Sequence, residues 1–271
     1  MKPVMKEIYQ NILDHLEPYG YKMYKGKIWR YNPDIGYVIE IVVEPTQWGT
    51  LNDIYMAYST CQEPITFDEN RSKKTIAPGT YWEFCSYLQS YKDVSVFAMG
   101  HPDQSVDITM WQQYKTLLPY LKKEFFPELM FDDRDIGTYL HHMENISILS
   151  CKTNYRTTGV SELELAREYM RFNDVESALR IIALNEQLCD NLAHFYLTAP
   201  LHLNTEERQG FANRWRNWRN EATELADMIQ NRPDELKRII EENKAISEKT
   251  CQEFFTSRYF SKKRVSGCNQ E

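Results

Sequence analysis

Glycine is scarce in this sequence, with 10 residues in a chain of 271, where an average chain has about 7%. Loops that hold phosphate groups rely on glycine because the backbone must approach the ligand closely. Neither the Walker pattern nor the dinucleotide-binding pattern occurs in the chain. The composition therefore argues against a nucleotide-binding enzyme, and we expect no cofactor.

Long apolar runs are missing as well. No window approaches about 18 uncharged apolar residues, which excludes a transmembrane helix, and the opening Met-Lys-Pro-Val-Met-Lys-Glu lacks the apolar stretch of a signal peptide. The cysteines lie far apart, without a C-x-x-C pair, at Cys61, Cys85, Cys151, Cys189, Cys251 and Cys268. This spacing favours buried thiols over a disulfide framework or a zinc site. We expect a cytoplasmic protein with no metal and no membrane contact.

Positive charge is also in short supply. The formal net charge is −7; the first 149 residues carry 14 basic and 20 acidic side chains, and the remainder carries 18 and 19. Neither part has the positive field that non-specific nucleic-acid binding needs. The best local candidate for such binding is the run Arg214-Trp-Arg-Asn-Trp-Arg219. Helical spacing places both of its tryptophans on an apolar stripe, and core burial explains them, so we do not expect a nucleic-acid partner.

Apolar spacing in the first half predicts a helix and then a sheet. Residues 4–17 carry apolar side chains at helical intervals. Two short strands around Lys25-Gly26-Lys27, followed by strands over Tyr37–Val43 and Ile54–Thr60, predict an antiparallel meander. Helical spacing returns near Gln104. The predicted fold class is α+β, with an antiparallel sheet of about four to six strands and flanking helices, followed by an all-helical C-terminal part.

The predicted organisation has two domains. Pro119 should kink or divide the helix that begins near Gln104, and a shorter helix is expected from about Arg134 to Glu144. The segments are an α+β domain over 1–149, a linker over 150–160, a helical domain over 161–260 and a flexible tail over 261–271. The first helical pair, about Leu163 to Ile182, resembles a hairpin of a tetratricopeptide-type repeat, but an isolated helical hairpin is favoured because no second copy is found.

Several features of the first 145 residues carry a family resemblance. They are the opening helix running into Gly20-Tyr-Lys-Met-Tyr-Lys-Gly-Lys-Ile-Trp-Arg-Tyr31, the strands Tyr37–Val43 and Ile54–Ser59 split by Gln47-Trp48-Gly49, and Phe125-Phe-Pro-Glu-Leu129. In this layout the chain resembles the bacterial domain-of-unknown-function 4304 family. The resemblance implies an α+β fold with an antiparallel sheet. It implies no activity and no catalytic residues.

The candidate sites for chemistry are weak. His141 and His142 lie near several acidic residues, but adjacent helical residues point about 100° apart, so both cannot easily bind one metal ion. The acidic run Asp132-Asp-Arg-Asp135 is typical of a helix start, with Asp132-Asp133 as the cap. Glu40 and Glu44 share a strand face but are expected to face solvent. No G-x-S-x-G elbow occurs, and the catalytic residues stay unknown.

Two functions remain open. The first is a non-enzymatic protein-interaction protein, of the immunity or regulatory kind, whose partner is another protein. The residues chosen for its interaction surface are Trp48, Tyr55, Arg216 and Arg219. The alternative is an enzyme with an unrecognised site, such as a hydrolase. Such an enzyme predicts a deep pocket with convergent titratable groups.

The division near residue 150 leads to a further expectation. Because the strand signal stops there, the two halves should have separate cores. The stripe of Phe211, Trp215 and Trp218 is large for a few short helices, so the helical half should dock against the first half. If its ring is buried, Trp215→Ala should cost about 3–5 kcal/mol of stability. The oligomeric state is left open.

Overall fold

An antiparallel sheet lies at the centre of the computed structural model. The structure describes residues 3–46, 51–61, 63–67, 76–77, 80–85, 88, 110–152, 158–199 and 202–255. The strands are β1 (Lys22–Tyr24), β2 (Lys27–Asn32), β3 (Tyr37–Pro45), β4 (Leu51–Thr60), β5 (Thr66–Phe67), β6 (Ile76–Ala77) and β7 (Thr80–Glu83). Five of them form one sheet in the order β1-β2-β3-β4-β7, and β5 pairs with β6. With the helices described next, this sheet confirms the predicted α+β fold class.

The turns of the sheet follow from their residues. Lys25 and Gly26 both have positive φ, which suits the tight hairpin between β1 and β2. Gly36, in the turn between β2 and β3, has φ 82°. A Cβ atom at Gly36 would lie 3.1 Å from Nη1 of Arg171, so this position needs glycine for the turn and for the close approach of a later helix.

Helices surround the first part of the sheet. They are α1 (Pro3–Leu16), a 3₁₀ turn (Glu17–Tyr19), α2 (Met110–Tyr120), a π-helical stretch (Leu121–Phe125), α3 (Phe126–Leu129) and α4 (Ile136–Lys152). Pro119 does not divide its helix; the chain changes to π-helix two residues later. The predicted Asp132-Asp133 cap of α4 is wrong. Asp135 takes that place, because its carboxylate accepts hydrogen bonds from the Thr138 amide at 2.8 Å and hydroxyl at 2.7 Å.

Four helices form the described portion of the C-terminal part: α5 (Thr158–Arg171), α6 (Val175–Thr198), α7 (Thr205–Asn231) and α8 (Pro233–Phe254). Asp174 caps α6, and Asn204 with Glu207 forms a capping box on α7. The predicted linker over 150–160 is helical at both ends, because α4 extends to Lys152 and α5 begins at Thr158. The predicted tail over 261–271 lies outside the described residues. Of the helices described, none has the length and apolar character needed to cross a membrane.

The core runs through both halves of the chain. One continuous cluster of buried apolar residues joins α1 and one face of the sheet to α4, α5, α6, α7 and α8. A second cluster places Phe254 and Phe255 at the end of α8 against Trp29 and Tyr31 of β2. The expected docking of the helical part is therefore present. The expectation of separate cores is wrong, because the helical part is needed to bury sheet residues.

This shared core gives a stability prediction. Phe255 is 1% exposed and stacks on Tyr31 with ring centroids 5.1 Å apart. Phe255→Ala should lower the free energy of unfolding by about 3–5 kcal/mol because it leaves a cavity against the sheet. Urea unfolding followed by far-ultraviolet circular dichroism measures this loss. The control is Phe195→Ala, where a ring that is 48% exposed is removed. Equal, small losses from both substitutions would contradict the shared core.

Candidate functional site

The residues chosen from the sequence as an interaction surface do not come together. Trp48 lies outside the described residues. Tyr55 is 1% exposed, so the prediction that it belongs to an interaction surface is wrong. Its strand, β4, is buried on both faces over most of its length. Arg216 is exposed, while Arg219 is half-buried and forms an ion pair with Asp190 of α6 at 3.0 Å.

The α6–α7 hairpin extends beyond the core that supports it. Near the sheet, Ile181 of α6 and Leu225 of α7 belong to the main buried cluster, together with apolar residues of α5. Farther out, Cys189, Ala193 and Ala212 are buried but lie outside both core clusters. These small side chains let α6 and α7 approach each other closely. Among the residues that the structure describes, the outer half of the hairpin, 184–198 and 205–218, is therefore held mainly by its own two helices.

The apolar stripe of α6 continues into this outer half. Leu188, Leu192 and Phe195 follow Ile181 at intervals of seven, eleven and fourteen residues, which keeps all four on one side of a helix. Leu188 and Leu192 are half-buried, and the Phe195 ring is 48% exposed. A side of α6 that is buried near the sheet is thus open to solvent farther out.

The aromatic stripe of α7 shows the same change. Phe211, Trp215 and Trp218 precede Ala222 and Leu225 on one side of the helix, but all three are only half-buried. Predicted burial of the tryptophans is wrong, and the 3–5 kcal/mol loss that it implied for Trp215→Ala no longer applies. The tryptophan rings meet edge to face, with centroids 4.7 Å apart. We call Leu188, Leu192, Phe195, Phe211, Trp215 and Trp218 the distal apolar surface.

Arginines border this surface. Between Arg208 and Arg219 the chain has four arginines and no acidic residue. Arg208 donates hydrogen bonds to the backbone carbonyls of Ala199 and Leu203, near the two ends of the loop between α6 and α7. Arg214 lies over the ring of Phe211, with Cζ 5.8 Å from the centroid, and is exposed. Within the described ranges, Arg214 and Arg216 make no ion pair, so both remain available to a partner.

A second feature is a cleft of about 620 Å³ lined by 18–20, 30–34 and 131–134. Among its charged side chains Arg30 is the buried one; its guanidinium stacks on the Phe131 ring and donates to Asp133 at 3.0 Å. Asp133 also accepts from Asn32 at 2.8 Å and from Tyr37 at 2.6 Å. Burial raises the pKa of Asp133, but these hydrogen bonds and the Arg30 charge outweigh it and hold that pKa below its usual value. The carboxylate thus stays ionised and joins β2 and β3 to the loop before α4.

The adjacent histidines of α4 diverge. His141 is exposed, whereas His142 is buried with its ring stacked on Phe131 at 3.6 Å. Burial, with a smaller effect of the Arg30 charge, holds the pKa of His142 well below its usual value. Its ring is therefore neutral in the fold. No group of three or more His, Cys, Asp or Glu side chains in the described ranges is arranged to hold a metal ion.

Two buried carboxylates were not found from the sequence. Glu40, expected to face solvent, is fully buried and pairs with Lys27. Glu164 of α5 accepts hydrogen bonds from the Thr60 amide at 2.9 Å and hydroxyl at 2.5 Å. Burial raises the pKa of Glu164 to about 7, and the Thr60 hydrogen bonds offset this only in part. Glu164 lies six residues after the start of α5 at Thr158 and contacts the sheet.

Comparison with family models, with curated proteins and with solved structures finds no match to this chain. The resemblance of the first 145 residues to the domain-of-unknown-function 4304 family therefore stays a prediction. The features that bear on function are the distal apolar surface, the cleft and the buried carboxylates.

The titration of Glu164 gives a pH prediction. Its pKa in the folded chain is raised to about 7, so the folded state binds a proton that the unfolded state has already lost. The stabilising contribution is complete below about pH 4 and is lost as the pH rises through about 7. A shift of this size corresponds to about 3 kcal/mol. Urea unfolding at pH 5, 6, 7 and 8 should show this fall in the wild type and a flatter profile in Glu164→Gln.

The matched control for this prediction is Glu241→Gln on the exposed side of α8. This variant should keep the wild-type dependence of unfolding free energy on pH. If Glu164→Gln kept it as well, the buried carboxyl would not be the group that titrates.

Proposed function

We propose that this chain is a non-enzymatic, cytoplasmic protein-interaction protein, of the bacterial immunity or regulatory kind, that binds a protein partner through the distal apolar surface. The observation that carries the proposal is the exposure of two apolar stripes beyond the core. Each stripe is buried where α5 covers it and only half-buried where α5 has ended, with Phe195 exposed. Exposed apolar patches of this kind, rimmed by polar residues, are typical of protein-binding surfaces.

The composition of the surface supports the same function. Tryptophan, other aromatic residues and arginine are enriched at the centres of protein interfaces, where a few of them supply most of the binding energy. Trp215 and Trp218 lie side by side with Arg214 next to them. Because the two rings are already partly ordered by contact with each other, they would lose little side-chain entropy when a partner covers them.

The enzymatic alternative, such as a hydrolase, has less support. A general acid or base is most effective when its pKa is near neutrality and its carboxyl reaches the substrate. Glu164 has such a pKa but is buried against Thr60 and does not line the cleft. Asp133, which does line the cleft, has a lowered pKa and already accepts from three side chains. A near-neutral pKa and a position in the cleft, which a hydrolytic site needs together, are thus found on different residues.

Photo-crosslinking in the native host tests the proposal. A benzoylphenylalanine replacing Phe195 in the full chain should give one dominant crosslinked protein. The same probe replacing Ile246, a side chain on α8 that is 51% exposed, should not. Adding Trp215→Ala to the Phe195 probe should reduce that product at least about fivefold, because a central aromatic ring contributes on the order of 2 kcal/mol to binding.

The fold of each variant is checked by its urea-unfolding midpoint, which should stay near that of the wild type because Trp215 is only half-buried. Equal products from both probe positions, or recovery of chaperones alone, would contradict the proposal.

A further inference from the structure

The groove between α6 and α7 in which α5 packs continues beyond the end of α5. The turn from Phe172 to Asp174 reverses the chain, so α5 runs back along α6 from that turn and also contacts α7. It has 14 residues, whereas α6 has 24 and α7 has 27. Since helical residues rise about 1.5 Å each, α5 covers roughly the first 20 Å of the hairpin. Farther along, the same sides of α6 and α7 form the distal apolar surface.

The length of the part of this groove that α5 leaves uncovered can be estimated. From Leu188 to Thr198 it follows about ten residues of α6, or about 15 Å at the helical rise. By their helical positions, Leu192 and Phe195 belong to the α6 side of this groove, and Trp215 and Trp218 belong to its α7 side. A groove of this length between two helices has room for about three turns of a third helix, whose anchors would recur at three, four and seven residues.

The end of the groove near the sheet is occupied by α5 itself. α5 fills this end with Leu163, Ala166 and Met170, a stripe of apolar residues at intervals of three and four. On its other sides α5 packs against α4 and the sheet, so that among 162–171 only Arg167 and Arg171 are half-buried and the rest are buried. The interface that continues into the open groove is therefore one between helices. A helix that continued it beyond the core would need polar residues on its solvent side and would thus be amphipathic.

The border of the groove adds a charge preference. Arg214 is exposed beside Trp218 and makes no ion pair with any described residue. Glu221 lies farther toward the core on the same side of α7. An acidic side chain on an incoming helix would pair with Arg214, whereas a basic one would leave two cations facing each other.

We propose that the distal apolar surface binds an amphipathic α-helix of the partner, seated as a continuation of α5, with an acidic residue against Arg214. This inference rests on the proposed function and specifies the kind of partner. A helix is favoured over an extended segment because both walls are helices whose stripes match the spacing of α5, and neither offers a free strand edge. A second copy of this chain is the main competing occupant.

Fluorescence anisotropy with synthetic peptides tests the inference on the full chain. The first peptide has 14 residues, with leucine and phenylalanine on one helical face and glutamate and glutamine on the other. A second has the same composition, with the apolar residues spread around the helix, and a third replaces each glutamate by lysine. The first should bind at least tenfold more tightly than either of the others.

Variants of the chain place the binding on the groove. Phe195→Ala combined with Trp218→Ala should weaken binding of the first peptide at least tenfold, and Ile246→Ala should leave it unchanged. Arg214→Glu should reverse the preference between the glutamate and lysine peptides. Equal binding of the amphipathic and spread peptides, or no binding, would overturn the helical partner, even if the crosslink at position 195 still formed.

Sedimentation of the chain alone distinguishes the competing occupant. The inference predicts a monomer at micromolar concentration for the wild type and for the double variant. A wild-type dimer that dissociates in Phe195→Ala with Trp218→Ala would show that a second copy fills the groove and would overturn the inference. If the crosslink fails while the amphipathic peptide binds as described, the groove is a helix-binding site, but the proposed function in the cell is wrong.

Discussion

The attachment of α5 to the end of β4 is the contact on which the rest of the molecule depends. Glu164 accepts two hydrogen bonds from Thr60, and Arg171 donates to the backbone carbonyl of Ile35. Gly36 makes room for this arginine because a side chain there would meet its guanidinium. These bonds fix the position of α5 against the sheet. Because α5 also packs against α6 and α7, they fix the position of the hairpin.

The hairpin extends past α5 because its helices are longer, and this difference creates the distal apolar surface. Apolar residues that would be buried in a bundle of equal helices are only half-buried beyond the end of α5. Near the sheet the same stripes contribute to a core shared by both halves of the chain. Stability and binding are thus divided along one pair of helices: the inner half stabilises the fold, and in our proposal the outer half binds.

The sequence predicted the elements well, because their periodicity and breaking residues are local properties. The helix before Pro18, the turn at Lys25-Gly26 and the helix that carries Phe211, Trp215 and Trp218 all appear in the structure. Burial of a strand by segments that are distant in the sequence is not a local property. Tyr55 and Glu40 therefore looked solvent-facing, although helices or loops bury both faces of their strands.

The candidate site was harder to predict than the fold. Arg216 and Arg219 marked the correct helix, but the aromatic residues between and before them were assigned to the core. Helical spacing identifies an apolar stripe without showing where the neighbouring helix ends. Glu164 was missed because an acidic residue near a helix start has a common local explanation, and only the fold brings Thr60 to it.

The central claim is that the inner half of the hairpin belongs to the shared core and the outer half stands beyond it. Native-state hydrogen exchange measures this directly, because amides in one cooperative unit exchange with one opening free energy. Residues 222–229 of α7 should exchange as slowly as 38–43 of β3, whereas 188–198 and 205–215 should exchange with a smaller opening free energy. Equal protection along all of α6 and α7, or exchange of all four C-terminal helices as a unit separate from the sheet, would contradict the central claim.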